Sequence, residues 1–244
     1  MLMALIVMAT PSSAEQQSLK ICYEDNNYPP YIYRDEHIGK GILVDIITAA
    51  AKEAGFSLAL YSKPWMRCQQ DVISAEAHAL FAMIETDQRK EIFAFPPENK
   101  LSQWYLWLAQ YPVFRAKGKP FIAAQYQPKT GIGAPFGYVV LDMLKDKNWL
   151  SPYQYEAKDG LKMVAMNKLD GYVVERQIGI HLLEVIDHTK DVEVSQHVML
   201  QSNWYLPFNK RFYESHPAIV ETMWRNIAVQ RIKMEESISK GVNN

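Results

Sequence analysis

Two cysteines, no basic run and no late apolar stretch long enough to cross a bilayer leave several functional classes without support in these 244 residues. With 26 Lys and Arg against 27 Asp and Glu, and a formal net charge of -1, the chain has no general electrostatic pull toward nucleic acid or anionic lipid. There is no Gly-x-Ser-x-Gly, no Cys paired locally with a His, and no ligand spacing among the six His that suits zinc, so neither a nucleophile motif nor a metal site is indicated. His181, Glu184 and His188 share one helical face, which reads as a solvated or packed face. No cofactor is implied. No short-period repeat or low-complexity segment is present, which argues against solenoids and propellers.

What is present suits a globular protein. A composition 48% hydrophobic and 22% charged supports a sizeable core, and the length fits one large domain or two small lobes. Met1 to Ala9 is apolar and is followed by Thr10-Pro11-Ser12-Ser13-Ala14, with small residues where a signal peptidase looks. We read residues 1–14 as a secretory signal, cut after Ala14, although no Lys or Arg precedes the apolar run. A membrane anchor is the competing reading, and the run is well short of the roughly 20 residues a spanning helix needs. No Cys follows the cut, so lipid attachment there is not expected. Export to an oxidising compartment makes a Cys22–Cys68 disulfide chemically possible, and the alternative of two buried thiols stays open.

Strand and helix signals alternate. Leu19–Tyr23 reads as a strand, Tyr28–Tyr31 as an extended loop stiffened by two prolines, Asp45–Ala54 as a helix closed by Gly55, and Phe56–Tyr61 as a second strand. Trp65–Ala75 follows as a helix, His78–Ile84 as a third strand, and Asp87-Gln88-Arg89 as a polar turn. The pattern restarts after Pro112, with helices at Tyr138–Lys145, Leu161–Lys168 and Gln177–Ile186 and a strand at Asp170–Val174. Trp204–Phe208 reads as a strand returning to the first unit, and Pro217–Ser239 as a long terminal helix. Such alternation predicts sheets covered by helices.

Three stretches, in order and at fitting spacing, narrow this further: Tyr28-Pro29-Pro30-Tyr31, Gly41-Ile42-Leu43-Val44-Asp45 and Thr86-Asp87-Gln88-Arg89. Together they resemble the opening half of a bacterial family 3 extracellular solute-binding protein. The resemblance implies an α/β, two-lobed periplasmic-binding-protein-like (type II) fold, each lobe a mostly parallel sheet flanked by helices, with a ligand cleft between them. Lobe 1 would comprise residues 15–108 and 199–244, and lobe 2 residues 109–198. In such a fold Cys22 and Cys68 would come near each other.

The resemblance also implies a site. Arg89, closing the Thr86-x-x-Arg89 motif, would bind a ligand carboxylate through its planar fork of donors; the competing reading is a surface Arg paired with Asp87 or Glu91. Glu175, after Leu169-Asp170-Gly171, would receive an amino group, or would simply sit at a helix start. Asp170 reads as a turn former and Asp45 as structural. Tyr28, Tyr31 and Trp65 are candidates to pack against the ligand. Main-chain N–H groups at Gly137 and Tyr138 would form an anion site at a helix start, although Tyr138 replaces the small hydroxyl residue common there. Pro64-Trp65-Met66-Arg67-Cys68 resembles a motif of a less characterised branch of the family. Ala82, Met83, Ile84 and Glu85 stand where many amino-acid binders carry small hydroxyl residues. The implied function is a periplasmic, monomeric, non-catalytic protein that captures a small polar solute, an amino acid or related carboxylate, for an ABC-type permease or a sensor. Alternatives are a dehydratase-like enzyme on the same scaffold, with Glu175 as its acid or base, and a ligand-free interaction protein whose cleft is filled by Ile84, Tyr138 or Trp65.

Overall fold

The computed structural model describes residues 18–35 and 38–242, so the leader expected over residues 1–14 lies outside the described residues. The chain opens with β1 (Ser18–Glu24), whose buried face includes Leu19, Ile21 and Tyr23. Tyr28 to Ile32 is not extended. Tyr31 and Ile32 both donate their main-chain N–H to Tyr28 O, at 2.9 and 3.1 Å, and close a tight turn around a cis Pro29–Pro30 bond. Proline restricts the residue before it but does not prevent chain reversal. A short hairpin, β2 (Tyr33–Asp35) and β3 (Ile38–Lys40), leads to α1 (Ile42–Glu53). This helix starts three residues before the expected Asp45, which lies in its first turn. Gly55, at φ +78°, ends it in the left-handed conformation that favours glycine, with its N–H on Lys52 O.

Next come β4 (Ser57–Lys63) and α2 (Trp65–Ile73). The single strand expected over His78–Ile84 is divided into β5 (Ala79–Leu80) and β6 (Met83–Ile84), which belong to different sheets. Ala82, at φ +71°, breaks the extended path between them. The expected turn at Asp87 is a short helix, α3 (Asp87–Ile92), followed by β7 (Phe93–Ala94). The long β8 (Trp107–Ala116) carries the chain into the second sheet, which continues through β9 (Ile132–Gly133), α4 (Val139–Asp146), α5 (Ala157–Ala165), β10 (Gly171–Val173) and α6 (Arg176–Val185). β11 (Val192–Tyr205) is one strand of 14 residues that takes in Trp204 and Tyr205, the start of the strand expected over Trp204–Phe208. β12 (Phe208–Asn209), α7 (Lys210–Ser215) and α8 (Pro217–Val242) close the chain.

Two five-stranded sheets result, ordered β4-β1-β5-β12-β7 and β6-β11-β8-β10-β9. In the first, β1 pairs parallel with β4 and β5, while β12 runs antiparallel to its neighbours. The second is more mixed than expected, because β8 and β11 pair antiparallel along most of their length. Only β9 and β10 pair parallel there. The chain therefore enters the second sheet at β6, goes back to the first at β7, enters the second again at β8 and returns to the first at β12. No helix among the described residues is long and apolar enough to cross a membrane.

Burial explains the arrangement. α1 lays Leu43, Ile46, Ile47 and Ala50 on the first sheet, and fully buried Trp224 from α8 donates its indole N–H to Leu206 O at 2.7 Å. In the second lobe α5 and α6 approach so closely that a Cβ at Gly160 would lie 2.1 Å from the Tyr172 ring, and one at Gly179 2.1 Å from the Phe114 ring. Cys22 in β1 and Cys68 in α2 are joined by a disulfide with Cα atoms 5.4 Å apart, inside the usual range.

Candidate ligand cleft between the lobes

The cleft is built where strands end. β1 ends at Glu24, β6 at Ile84, and β10 delivers the chain to Val174 and Glu175, as ligand sites at the carboxyl ends of strands require. Between the lobes lies a cavity of about 40 Å³. Both lobes contribute to its wall, among others through Glu24, Trp65 and Arg89 on one side and Tyr111, Tyr138 and Ile178 on the other. By volume it has room for only a few water molecules.

Arg89 reaches this cavity from α3. Its Nη1 donates to Ile84 O at 2.8 Å and its Nη2 to Gly137 O, in the other lobe, at 3.0 Å. The guanidinium carbon lies 6.0 Å from the Trp65 ring centre. Burial lowers its pKa, though a guanidinium remains charged at any working pH. No ion pair among the described residues includes Arg89. The surface pairing with Asp87 or Glu91 is therefore not what the structure shows.

Thr86 has a different position from the one the motif implies. Its Oγ1 accepts the Arg89 main-chain N–H at 3.2 Å and caps α3, and Thr86 does not line the cavity. It orients the helix that carries Arg89.

Glu175 is 2% exposed and already engaged. Its Oε2 accepts from the Gln177 and Ile178 N–H groups at 2.7 and 3.1 Å, capping α6, and its Oε1 accepts the Tyr31 hydroxyl at 3.2 Å across the lobes. Burial raises its pKa against these bonds. It lies outside the enclosed cavity, beside an open groove of about 490 Å³ that it lines with Trp107, Arg176 and Ile238. Tyr31 borders both spaces and also accepts the Trp107 indole N–H at 3.2 Å.

The Tyr138 N–H is not presented as expected. It bonds Pro135 O at 3.3 Å, and it is the Gly137 carbonyl that faces Arg89. Trp65 Nε1 donates to the same carbonyl at 3.4 Å, and its ring meets Tyr138 edge-on at 6.2 Å. Gly137, at φ +77°, has the left-handed conformation that favours glycine, and a Cβ there would lie 2.5 Å from Sδ of the exposed and flexible Met66 side chain. Asp170 behaves as the turn former expected. It accepts from Tyr126 OH, the Lys129, Thr130 and Gly131 N–H groups and Thr130 Oγ1, at 2.7 to 3.1 Å. Although burial pushes its pKa up, these bonds outweigh it and hold the carboxyl below its usual range.

Glu24 is the residue that sequence reasoning missed. It sits in the cavity wall, where Tyr138 OH donates to Oε2 at 2.7 Å while Asn26 Nδ2 and Tyr28 OH donate to Oε1 at 3.1 and 3.4 Å. Burial, outweighing these bonds and helped by nearby Glu156, pushes its pKa up to about 7. The signal was available: an acid at the carboxyl end of the first strand. Its neighbours in Glu24-Asp25-Asn26-Asn27 made it look like one more turn residue. Among the described residues no group of His, Cys, Asp or Glu is arranged to hold a metal.

Residues 19–124 match the bacterial extracellular solute-binding proteins, family 3. Over these residues, less than half of the chain, it is similar to that family, and its fold is that of periplasmic-binding-protein-like structures. Comparison with curated protein sequences finds no match. Solved structures similar to this chain share little sequence with it. A histidine kinase sensor domain with similarity to periplasmic binding proteins superposes with a TM-score of 0.77 at 13% identity, covering 92% of this chain and 96% of its own. The arginine-, lysine-, histidine-binding protein of Geobacillus stearothermophilus gives 0.73 at 14% identity, covering 91% and 94%. An ancestral amino acid-binding protein, described as a precursor of cyclohexadienyl dehydratase, gives 0.68 at 14% identity, covering 90% and 94%. At such identities the likeness concerns the fold.

Proposed function

We propose that this protein captures a small polar solute, an amino acid or related carboxylate, in the cleft between its lobes and delivers it to an ABC-type importer. The observation that carries this reading is Arg89, a charged guanidinium in the wall of an inter-lobe cavity, without a carboxylate partner among the described residues. A ligand carboxylate replacing the Gly137 carbonyl would exchange a neutral acceptor for a charged one, a stronger hydrogen bond. Tyr28, Tyr31 and Trp65 supply the apolar wall. Glu175 acts on closure, through its bond to Tyr31. The family's extracellular character supports a periplasmic protein exported through residues 1–14, and we take it to act as a monomer. The same capture serves a sensor equally well, as the kinase sensor domain with this fold illustrates.

Native mass spectrometry of the gently purified chain tests this reading. Wild type carries a small-molecule adduct, and Arg89→Ala carries none. Adduct retention by Arg89→Ala removes Arg89 as the anchor.

One observation favours a second reading, an enzyme on the same scaffold. A carboxyl group poised near neutrality in a cleft is what general acid-base catalysis needs, and Glu24 has that character. Turnover of a cyclohexadienyl carboxylate, followed by absorbance and abolished in Glu24→Gln, would support it; an unchanged spectrum after prolonged incubation would exclude that substrate.

A further inference from the structure

The connection from β8 to β9, residues 117–131, has no regular structure beyond one helical turn at Ala123–Gln125. Loops longer than about 12–15 residues are uncommon in compact domains unless they have a role of their own. This one is fastened at both ends. Near its start the Gly118 N–H donates to Glu193 Oε1 at 2.8 Å, and at its end the Lys129, Thr130 and Gly131 N–H groups donate to Asp170. Between these points the Phe121 and Tyr126 rings pack on Trp149, with ring centres 5.9 and 5.2 Å from it. A pocket of about 470 Å³ lies between the loop and the turn that carries Asn167, Leu169 and Asp170. That is the size of a small-molecule site. It sits where β8 ends and β10 begins, whereas the cleft lies where β10 ends, and the two share no wall residue.

Arg115 gives the pocket its chemistry. Its Nη1 is engaged with Glu193 Oε1 and Lys119 O, both at 2.5 Å, while no hydrogen bond among the described residues includes Nε or Nη2. Nε is also the one buried side-chain nitrogen or oxygen among the described residues with no hydrogen-bond partner. A buried donor without an acceptor destabilises the fold and calls for one. Nε and Nη2 together form the edge of a guanidinium that holds a carboxylate side-on through two parallel bonds. Nε itself is covered, so a ligand engages it only with local movement of its surroundings. Arg115, Lys119 and Lys129 stand against Glu193 and Asp170, which leaves one surplus positive charge at the wall. Phe121, half-exposed Ile122 and buried Leu169 supply its apolar part.

We propose that the second lobe carries a binding site of its own, beneath the loop of residues 117–131, for a small aromatic monoanion such as an aromatic carboxylate. The carboxylate accepts from the free edge of Arg115 and balances the surplus lysine charge. The ring lies among Phe121, Ile122 and Leu169, where aromatic contact adds to the apolar area removed from water. Such a site works independently of solute capture in the cleft.

Amide NMR titration of the isotopically labelled full chain at pH 7 tests the inference. The probes are benzoate, phenylacetate and indole-3-acetate, with acetate as an anion without a ring and benzamide as a ring without a charge. We expect at least one aromatic carboxylate to shift the amides of residues 115–129 and 167–170 saturably, with a dissociation constant below about 1 mM, and both controls to bind at least about tenfold more weakly. Arg115→Lys keeps a charge opposite Glu193 but removes the side-on edge, and Lys129→Glu removes the surplus charge. Each weakens binding of that probe by about tenfold, and near-UV circular dichroism shows that both variants are folded. Arg89→Ala binds it like wild type, which separates this site from the cleft. The inference is overturned if no aromatic carboxylate shifts these amides at about 10 mM, if acetate or benzamide binds as tightly, if either folded variant binds like wild type, or if Arg89→Ala abolishes the shifts.

Discussion

Glu24 is the residue on which most depends. Its carboxyl titrates near 4.5 when solvated and is pushed up to about 7 by burial in the closed cleft. An acid with a raised folded-state pKa keeps its proton in the folded protein over a range where the unfolded chain has lost it. Its contribution to stability is therefore undiminished below about pH 4.5, declines as pH rises to about 7 and is lost above that. Between pH 5 and 7.5 the wild-type melting temperature should fall relative to that of Glu24→Gln; parallel curves for the two proteins would show that Glu24 titrates normally. Arg89 was legible because its motif has a chemical meaning, a fork of donors for a carboxylate. The actual role of Thr86 was not, since nothing in Thr-x-x-Arg separates a hydroxyl that caps α3 from one that touches a ligand. Glu175 shows the same ambiguity: a helix-capping carboxylate and a ligand-facing one occupy the same place in sequence. The orientation of Gly137 depends on the main-chain path before α4, which residue types alone do not specify.

Individual elements reveal what alternation of strand and helix signals can and cannot tell. α1, α2, α4 and α6 were legible because apolar residues recur at helical spacing and glycine ends the first of them. The division between β5 and β6 was not, because it depends on the left-handed conformation of Ala82, a residue with no local preference for it. The mixed direction of the second sheet likewise follows from long-range pairing of β8 with β11. Two predictions belong here. The Cys22–Cys68 disulfide ties β1 to α2 across 46 positions, so removing it as the Cys22→Ala, Cys68→Ala double variant should cost about 2–5 kcal/mol in denaturant unfolding. An unchanged transition midpoint would show that the bond contributes no stability. At Gly179 an added methyl group would overlap the Phe114 ring, and Gly179→Ala should destabilise by about 1–3 kcal/mol despite the better helix propensity of alanine. A gain in stability would mean that α6 packs less closely on β8 than described.

As a whole molecule, the protein is two sheets joined where the chain passes from β5 to β6, β6 to β7, β7 to β8 and β11 to β12, with polar contacts bridging the closed cleft. Among the described residues they include the bonds of Arg89 and Trp65 to Gly137, Tyr138 to Glu24, and Tyr31 to Glu175. Each is a single hydrogen bond, of about 0.5–3 kcal/mol net depending on charge, so a ligand that meets Arg89 can replace the bonds to Gly137. Gly137→Ala, strained at φ +77°, should destabilise by about 1–2 kcal/mol in denaturant unfolding, and an unchanged midpoint would show that this conformation is not held. The most direct test of solute capture at this cleft is thermal unfolding of the stripped chain against amino acids, polyamines, sugars and small carboxylates, run in parallel on wild type and Arg89→Ala. A ligand at about 100 times its dissociation constant adds about 2.7 kcal/mol, which for a chain of this size raises the midpoint by about 5–10 °C. The account predicts such a rise for a carboxylate-bearing amino compound in wild type and its absence in Arg89→Ala. An equal rise in both proteins, or a rise in wild type only with compounds that lack a carboxylate, would contradict it.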